Sequence, residues 1–287
     1  MYSVLSPHAA TRVELPGRYG AIAALRAEPA GDAIALLVPG YTGSKEDFAP
    51  MIDPIAAAGI GVLAIDLPGQ HESPGPDDEQ AYSPTALGLV VSELAGKLAA
   101  EGATVLLLGH SFGGLVARGA MLAGAPVAGL TLMDTGPGEL PPGPRRQVVE
   151  AGRQIMASGG IVAAQQVREL LDAKAPNWAD KTPRVREFLR TRFLASSPQG
   201  LLGMGDGLRT EPDRVPELAA VLRRTAAPCL VVCGESDDAW PVAAQRDMAE
   251  RLEADFAVVP GAAHSPNIEN PERLLDTLLP TWQAWLA

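Results

Sequence analysis

The chain has 287 residues, 47% of them hydrophobic and 20% charged, a balance that describes an ordinary folded globular protein and excludes a disordered one. Its formal net charge of −11 argues against nucleic acid and against an anionic membrane as partners. The opening segment lacks the basic start and apolar run of a signal peptide, and the longest apolar runs, near 102–117 and 119–133, are interrupted and too short for a bilayer span. A cytoplasmic protein acting on a small molecule is expected; the sequence carries no signal for or against an oligomer.

Taken in chain order, residues 21–27 alternate loosely after a Pro16-Gly17 turn, and 33–38 form a continuous apolar run, as in a strand covered on both faces. Residues 45–58 carry helical spacing at Phe48, Met51, Ile52 and Ile55 and end at Gly59. A buried strand at 60–65 closes on Asp66-Leu-Pro-Gly, and 84–100 reads as a helix with Ser83 as N-cap and Gly102 past its end. A strand at 105–108, a helix to about 123 and a strand at 127–133 follow. The pattern breaks at the turn-rich 136–144, and from 145 to about 224 the chain is helical and richer in charge. Alternation resumes with a strand at 228–232, a helix at 242–254, a strand at 256–259 and a closing helix at 271–286. Short apolar strands alternating with helices predict an α/β fold, a mostly parallel sheet flanked by helices. Residues 1–136 and 225–287 form its core, and 137–224 form an inserted helical cap.

Between the strand at 105–108 and its following helix lies Gly109-His110-Ser111-Phe112-Gly113. In this strand–turn–helix context, G-x-S-x-G reads as a nucleophile elbow. The turn must be sharp to expose a serine Oγ at its tip. Gly109 and Gly113 supply clearance, and the helix aims N–H groups at an oxyanion formed there.

A serine hydroxyl needs a general base, and the base needs a third group to orient it. Of four histidines, His8 is near the N-terminus, His71 sits in a polar loop and His110 flanks the turn. His264 lies just past the last strand, where catalytic loops gather on a parallel sheet, and is the base by position and elimination. For the acid, Asp237 and Asp238 follow the strand ending at Cys233, and Asp134 ends the strand after the elbow. The loop 39–43 after the 33–38 strand offers the Tyr41 N–H as one oxyanion donor, beside that of Phe112. Trp178 and Trp240 are candidate pocket residues. In a strand, Cys229 and Cys233 would lie about 13 Å apart, beyond the roughly 7 Å limit of a disulfide, and they read as small core residues. Neither a metal nor a cofactor is expected.

Five segments are similar to the α/β-hydrolase family: Val38-Pro-Gly-Tyr-Thr-Gly-Ser, Asp66-Leu-Pro-Gly-Gln-His-Glu-Ser, Gly109-His-Ser-Phe-Gly-Gly, Gly234-Glu-Ser-Asp and Gly261-Ala-Ala-His-Ser-Pro-Asn-Ile-Glu-Asn-Pro-Glu. The resemblance implies Ser111 as nucleophile, Asp237 as acid, His264 as base, and Tyr41 and Phe112 as oxyanion donors. Two departures stand out: Pro39 replaces a histidine before Gly40, and Gln70-His71 stands where Gly-His-Gly is common. The implied activity is a metal-free serine esterase or thioesterase working through an acyl-enzyme. Carbon–carbon bond hydrolysis, cofactor-free perhydrolysis and a slow-turnover ligand receptor are alternatives on the same residues.

Overall fold

The computed structural model describes residues 2–174 and 178–287. Its strands are β1 (Thr11–Gly17), β2 (Gly20–Ala27), β3 (Ala33–Val38), β4 (Gly61–Ile65), β5 (Thr104–His110), β6 (Gly129–Met133), β7 (Cys229–Gly234) and β8 (Asp255–Val259). Its helices are α1 (Ala49–Ala57), α2 (Pro84–Ala100), α3 (Phe112–Leu122), α4 (Pro144–Asp172), α5 (Pro183–Ala195), α6 (Pro198–Thr210), α7 (Val215–Thr225), α8 (Val242–Leu252), the one-turn α9 (Pro266–Glu269) and α10 (Pro271–Leu286). Short 3-10 turns at Lys45–Phe48 and Glu79–Tyr82 lead into α1 and α2.

The strands form one sheet in the order β1-β2-β4-β3-β5-β6-β7-β8. From β4 to β8 every neighbouring pair is parallel, while β2 runs antiparallel to both β1 and β4. Strand β1 was not anticipated from the sequence. It is the sheet's edge, with an alternating exposed and half-buried pattern, so it carries no buried apolar run to read.

The central strands are buried on both faces and sort their side chains with period two. On β3, Ile34, Leu36 and Val38 join the layer containing α2, α3, α7 and α8, whereas Ala33, Ala35 and Leu37 face α1 and α10. On β5, Val105 and Leu107 take the first face and Leu106 and Leu108 the second. Cys229 and Cys233 are buried free thiols, both pushed up to about 12 by burial. They therefore pack as neutral core groups.

Between β6 and β7 the described residues contain helices α4 to α7 and no strand. Helix α7 packs on the core layer through Val215, Leu218, Ala219, Val221 and Leu222. Helix α4 buries only Ala164 and Gln165. Among the described residues no helix is long and apolar enough to cross a membrane.

Candidate active site

Parallel strands all present their C-terminal ends on one side, and the loops leaving β3, β5, β6, β7 and β8 meet there. Ser111 caps the turn from β5 into α3 with φ 55° and ψ −122°. That left-handed backbone costs a non-glycine residue about 1–3 kcal/mol. The turn holds it by pairing Ser111 N–H with Met133 O at 2.8 Å and Gly114 N–H with Ser111 O at 2.9 Å. Glycine is required at 113, where a Cβ would stand 2.4 Å from Val38 O and 2.5 Å from Pro39 O. The elbow thus presses against the exit of β3. As the first residue of α3, Phe112 has no intrahelical acceptor for its N–H.

His264 follows β8 and faces two partners. Its Nε2 lies 2.9 Å from Ser111 Oγ and its Nδ1 lies 2.8 Å from Asp237 Oδ1. Asp237 also accepts from Ala239 N–H at 2.9 Å and from Gln245 Nε2 at 2.7 Å. Burial alone would raise the Asp237 carboxyl, but the His264 hydrogen bond and charge, with Ala239 and Gln245, outweigh it and hold the group below its usual range. It is ionised at neutral pH, so the Nδ1–H tautomer of His264 is the one that satisfies both partners.

Asp134, at φ 47°, stands behind this pair. One of its oxygens accepts from Gly234 N–H at 2.8 Å, and the other has no hydrogen-bond partner. Burial first, and then the Asp237 charge, push its carboxyl well above the usual range. The structure thus sets beside the imidazole two carboxyls shifted in opposite directions, Asp237 down and Asp134 up. Single ligand atoms of Asp134, Asp237 and His264 lie within 4.8 Å of one another. Both nitrogens of His264 are already engaged with Ser111 and Asp237. Asp238 points away, paired with Arg145 at 2.6 Å on the surface.

The His264 loop is pinned from several sides. His110 Nε2–H donates to His264 O at 2.7 Å, Glu269 Oε2 accepts Ala263 N–H at 2.6 Å, and Ser236 N–H donates to Ala262 O at 3.0 Å. Burial, then the nearby His264, push His110 down to about 3, so it acts as a neutral strut. In the sequence His110 reads only as a flank of the turn. Its bond to a loop 154 residues away has no local signal. Gln245, eight residues beyond Asp237, was also missed.

Tyr41 follows Gly40 in the loop after β3, and a Cβ on Gly40 would stand 3.1 Å from Ser111 Cβ. The loop therefore passes directly over the serine. The Tyr41 side chain packs with Ala164, Phe193 and Leu201 of α4, α5 and α6, and burial pushes its hydroxyl up to about 12. Trp240 is 2% exposed; its ring centroid lies 6.3 Å from that of His264 and its Nε1–H donates to Glu139 O. It backs the imidazole. Trp178 lies elsewhere, beside Arg186 in a cavity of about 390 Å³ walled by α4 and α5, to which neither Ser111, His264 nor Tyr41 contributes.

The strand–elbow–helix frame and the convergence of five loops define the protein's class, and sequence comparison agrees. The model of the Alpha/beta hydrolase family matches residues 35–277. The chain belongs to that family, as a hydrolase-like enzyme. A 2-succinyl-6-hydroxy-2,4-cyclohexadiene-1-carboxylate synthase of Salmonella paratyphi C (strain RKS4594) is 26% identical over 254 residues, covering 83% of this chain and 89% of that one. Among solved structures, a malate-bound thermophilic esterase from Thermogutta terrifontis superposes with a TM-score of 0.73 at 24% identity, covering 96% of this chain and 98% of that one. An esterase from Exiguobacterium antarcticum superposes with a TM-score of 0.76 at 18% identity, covering 95% and 100% respectively. These structural likenesses establish the fold.

Proposed function

We propose that the protein is a serine hydrolase that cleaves a carboxylic ester or thioester of a small molecule through an acyl-enzyme. The observation that carries this reading is His264, whose ring bridges Ser111 Oγ at 2.9 Å and Asp237 Oδ1 at 2.8 Å. Nε2 takes the Ser111 proton as Oγ bonds to the carbonyl carbon, and the C=O electron pair moves onto oxygen. The N–H groups of Tyr41 and Phe112 hold that oxyanion. Its collapse expels the alcohol or thiol, which leaves with the proton from His264. Water, deprotonated by His264, then releases the acid and restores Ser111. Asp237 fixes the tautomer and stabilises the imidazolium.

Residues 137–224 serve, in this reading, as a helical cap that shapes access to Ser111. Supporting it, Tyr41 packs against α4, α5 and α6, and a Cβ on Gly207 of α6 would meet Phe112 at 3.1 Å. The two esterases with the same fold favour an ester bond. The synthase name of the Salmonella relative favours a second reading, chemistry at an activated carbon–carbon bond on the same three residues.

Turnover of p-nitrophenyl esters and acyl-thioesters of increasing chain length tests the first reading. Ser111→Ala is expected to abolish hydrolysis while folding normally, and an organophosphonate is expected to label Ser111. Label on another residue, or activity retained in the alanine variant, would refute it.

A further inference from the structure

We infer that Gln70 is the positioning residue that aims the Tyr41 N–H at the oxyanion. The inference rests on the acyl-transfer reading of Ser111. A peptide unit is planar and trans, so the Gly40 carbonyl and the Tyr41 N–H point in opposite directions. The N–H can face the reacting carbonyl only while Gly40 O faces away from it. Gly40 is the residue that lets the loop approach Ser111 so closely, and a glycine also makes a peptide flip inexpensive. Something must hold the carbonyl.

Two donors do so. Gly43 N–H reaches Gly40 O at 3.0 Å within the turn, and Gln70 Nε2 reaches it at 2.8 Å from the loop after β4. Gln70 is 1% exposed, and its Oε1 accepts Leu67 N–H at 3.0 Å. That second bond fixes the amide's direction, because a rotated amide would set oxygen against oxygen at Gly40 and NH2 against N–H at Leu67. The side chain is thus a neutral clamp with its acceptor and its donor both committed. Its Nε2 also lies 3.9 Å from Met204 Sδ of α6, and the same loop accepts Ser197 N–H on Gly69 O at 2.8 Å. The clamp therefore sits between the oxyanion loop and the helices that cover it.

A glutamate at this position is nearly isosteric but, when ionised, offers only acceptors to Gly40 O. Methionine fills the volume and offers neither. Wild type, Ser111→Ala, Gln70→Glu and Gln70→Met would be compared on p-nitrophenyl acetate, with folding checked by circular dichroism. For both Gln70 variants kcat is expected to fall about 10²–10³-fold, the loss typical of one oxyanion donor, with KM within about twofold. A boronic acid that mimics the tetrahedral adduct should weaken in parallel with kcat. Either variant within threefold of wild-type kcat, or a loss confined to KM, overturns the inference. If wild type hydrolyses no ester, the acyl-transfer reading fails by itself. Crystal structures of the variants then decide the clamp: an unturned Gly40–Tyr41 peptide in both refutes it, and a flipped one supports it. If Gln70→Glu does not fold, Gln70→Met carries the test.

Discussion

Strand β3 and helix α4 are held by different physics. All six residues of β3 are buried, sandwiched between two apolar layers. Of the 29 residues in α4, only two are buried, and Val148, Val162, Leu170 and Leu171 lie on its surface. Helices α6 and α7 reach the core layer through apolar residues, among them Met204, Leu208, Leu218 and Leu222, and charged contacts tie α4, α5 and the exit of α6 to the rest. Arg192 of α5 reaches Asp47 at 2.5 Å and Ser44 at 3.2 Å. Arg118 of α3 pairs with Glu211 at 2.7 Å and donates to Pro137 O, and Arg153 of α4 bridges Glu79 and Asp206. Ser111 and Asp237 stand past the ends of the buried strands β5 and β7, and His264 past the edge strand β8. The site's three side chains therefore leave the ends of the sheet's strands, whereas α4, with two buried residues, depends more on directional contacts that can be broken one at a time.

The sharpest way to break the comparison is at the core's own site. Asp237→Asn is expected to lower kcat by on the order of 10⁴, because the amide donates to Nδ1 and selects the wrong tautomer. Asp238→Asn should cost little, since that side chain faces solvent with Arg145. Asp134→Asn should also cost little, because an amide oxygen can still accept from Gly234 N–H and burial already disfavours the charged carboxylate. Steady-state kinetics on one ester ranks the three; equal losses would dissolve the assignment of roles.

Next in size is a core cavity. Leu36→Ala, at a fully buried β3 position, is expected to lose about 2–5 kcal/mol in denaturant unfolding. A smaller loss is expected from Arg192→Met, about 1.5–3 kcal/mol for the charged hydrogen bonds removed. It should register locally, as faster hydrogen exchange and proteolysis in α4 to α6 with the core's melting nearly unchanged. Cooperative loss of the whole fold in that variant would contradict the division.

The smallest effect is a slope with pH. His110 is depressed to about 3 in the folded state from an ordinary 6.5, so the unfolded chain binds a proton that the folded one refuses. The stability it contributes is complete above about pH 6.5 and declines as pH falls toward 3. His110→Gln keeps an Nε2–H donor for His264 O and removes the titration. Unfolding free energies at pH 7 and 5 should then differ less in the variant than in wild type; an unchanged difference would assign the slope to other groups.

How much of this was legible follows from how each feature is encoded. Buried strands announced themselves as apolar runs, so β3, β4, β5, β6 and β7 and their helices could be read within a few residues, whereas the edge strand β1 could not. The elbow was legible because steric clearance demands glycine at fixed offsets from the serine, and His264 because few histidines lie at a strand end. Among Asp134, Asp237 and Asp238 strand-exit position leaves the acid open, and only the resemblance of Gly234-Glu-Ser-Asp, with Asp third after the glycine, points to Asp237.

The sequence by itself determined the alternation of elements, the strained turn and the set of groups able to carry a proton. These depend on neighbours a few residues apart, where chain geometry is local. Only the tertiary structure decided that Gln70 donates to Gly40 O, that His110 ties down the His264 loop, that Gln245 holds Asp237 and that Asp134 stands behind it with its carboxyl shifted up. Apart from the eight-residue step to Gln245, those contacts join residues distant in sequence. Which donor meets which acceptor there depends on strand order and on how the loops pack, and desolvation, which shifts the Asp134 carboxyl up and His110 down, is a property of the folded interior alone.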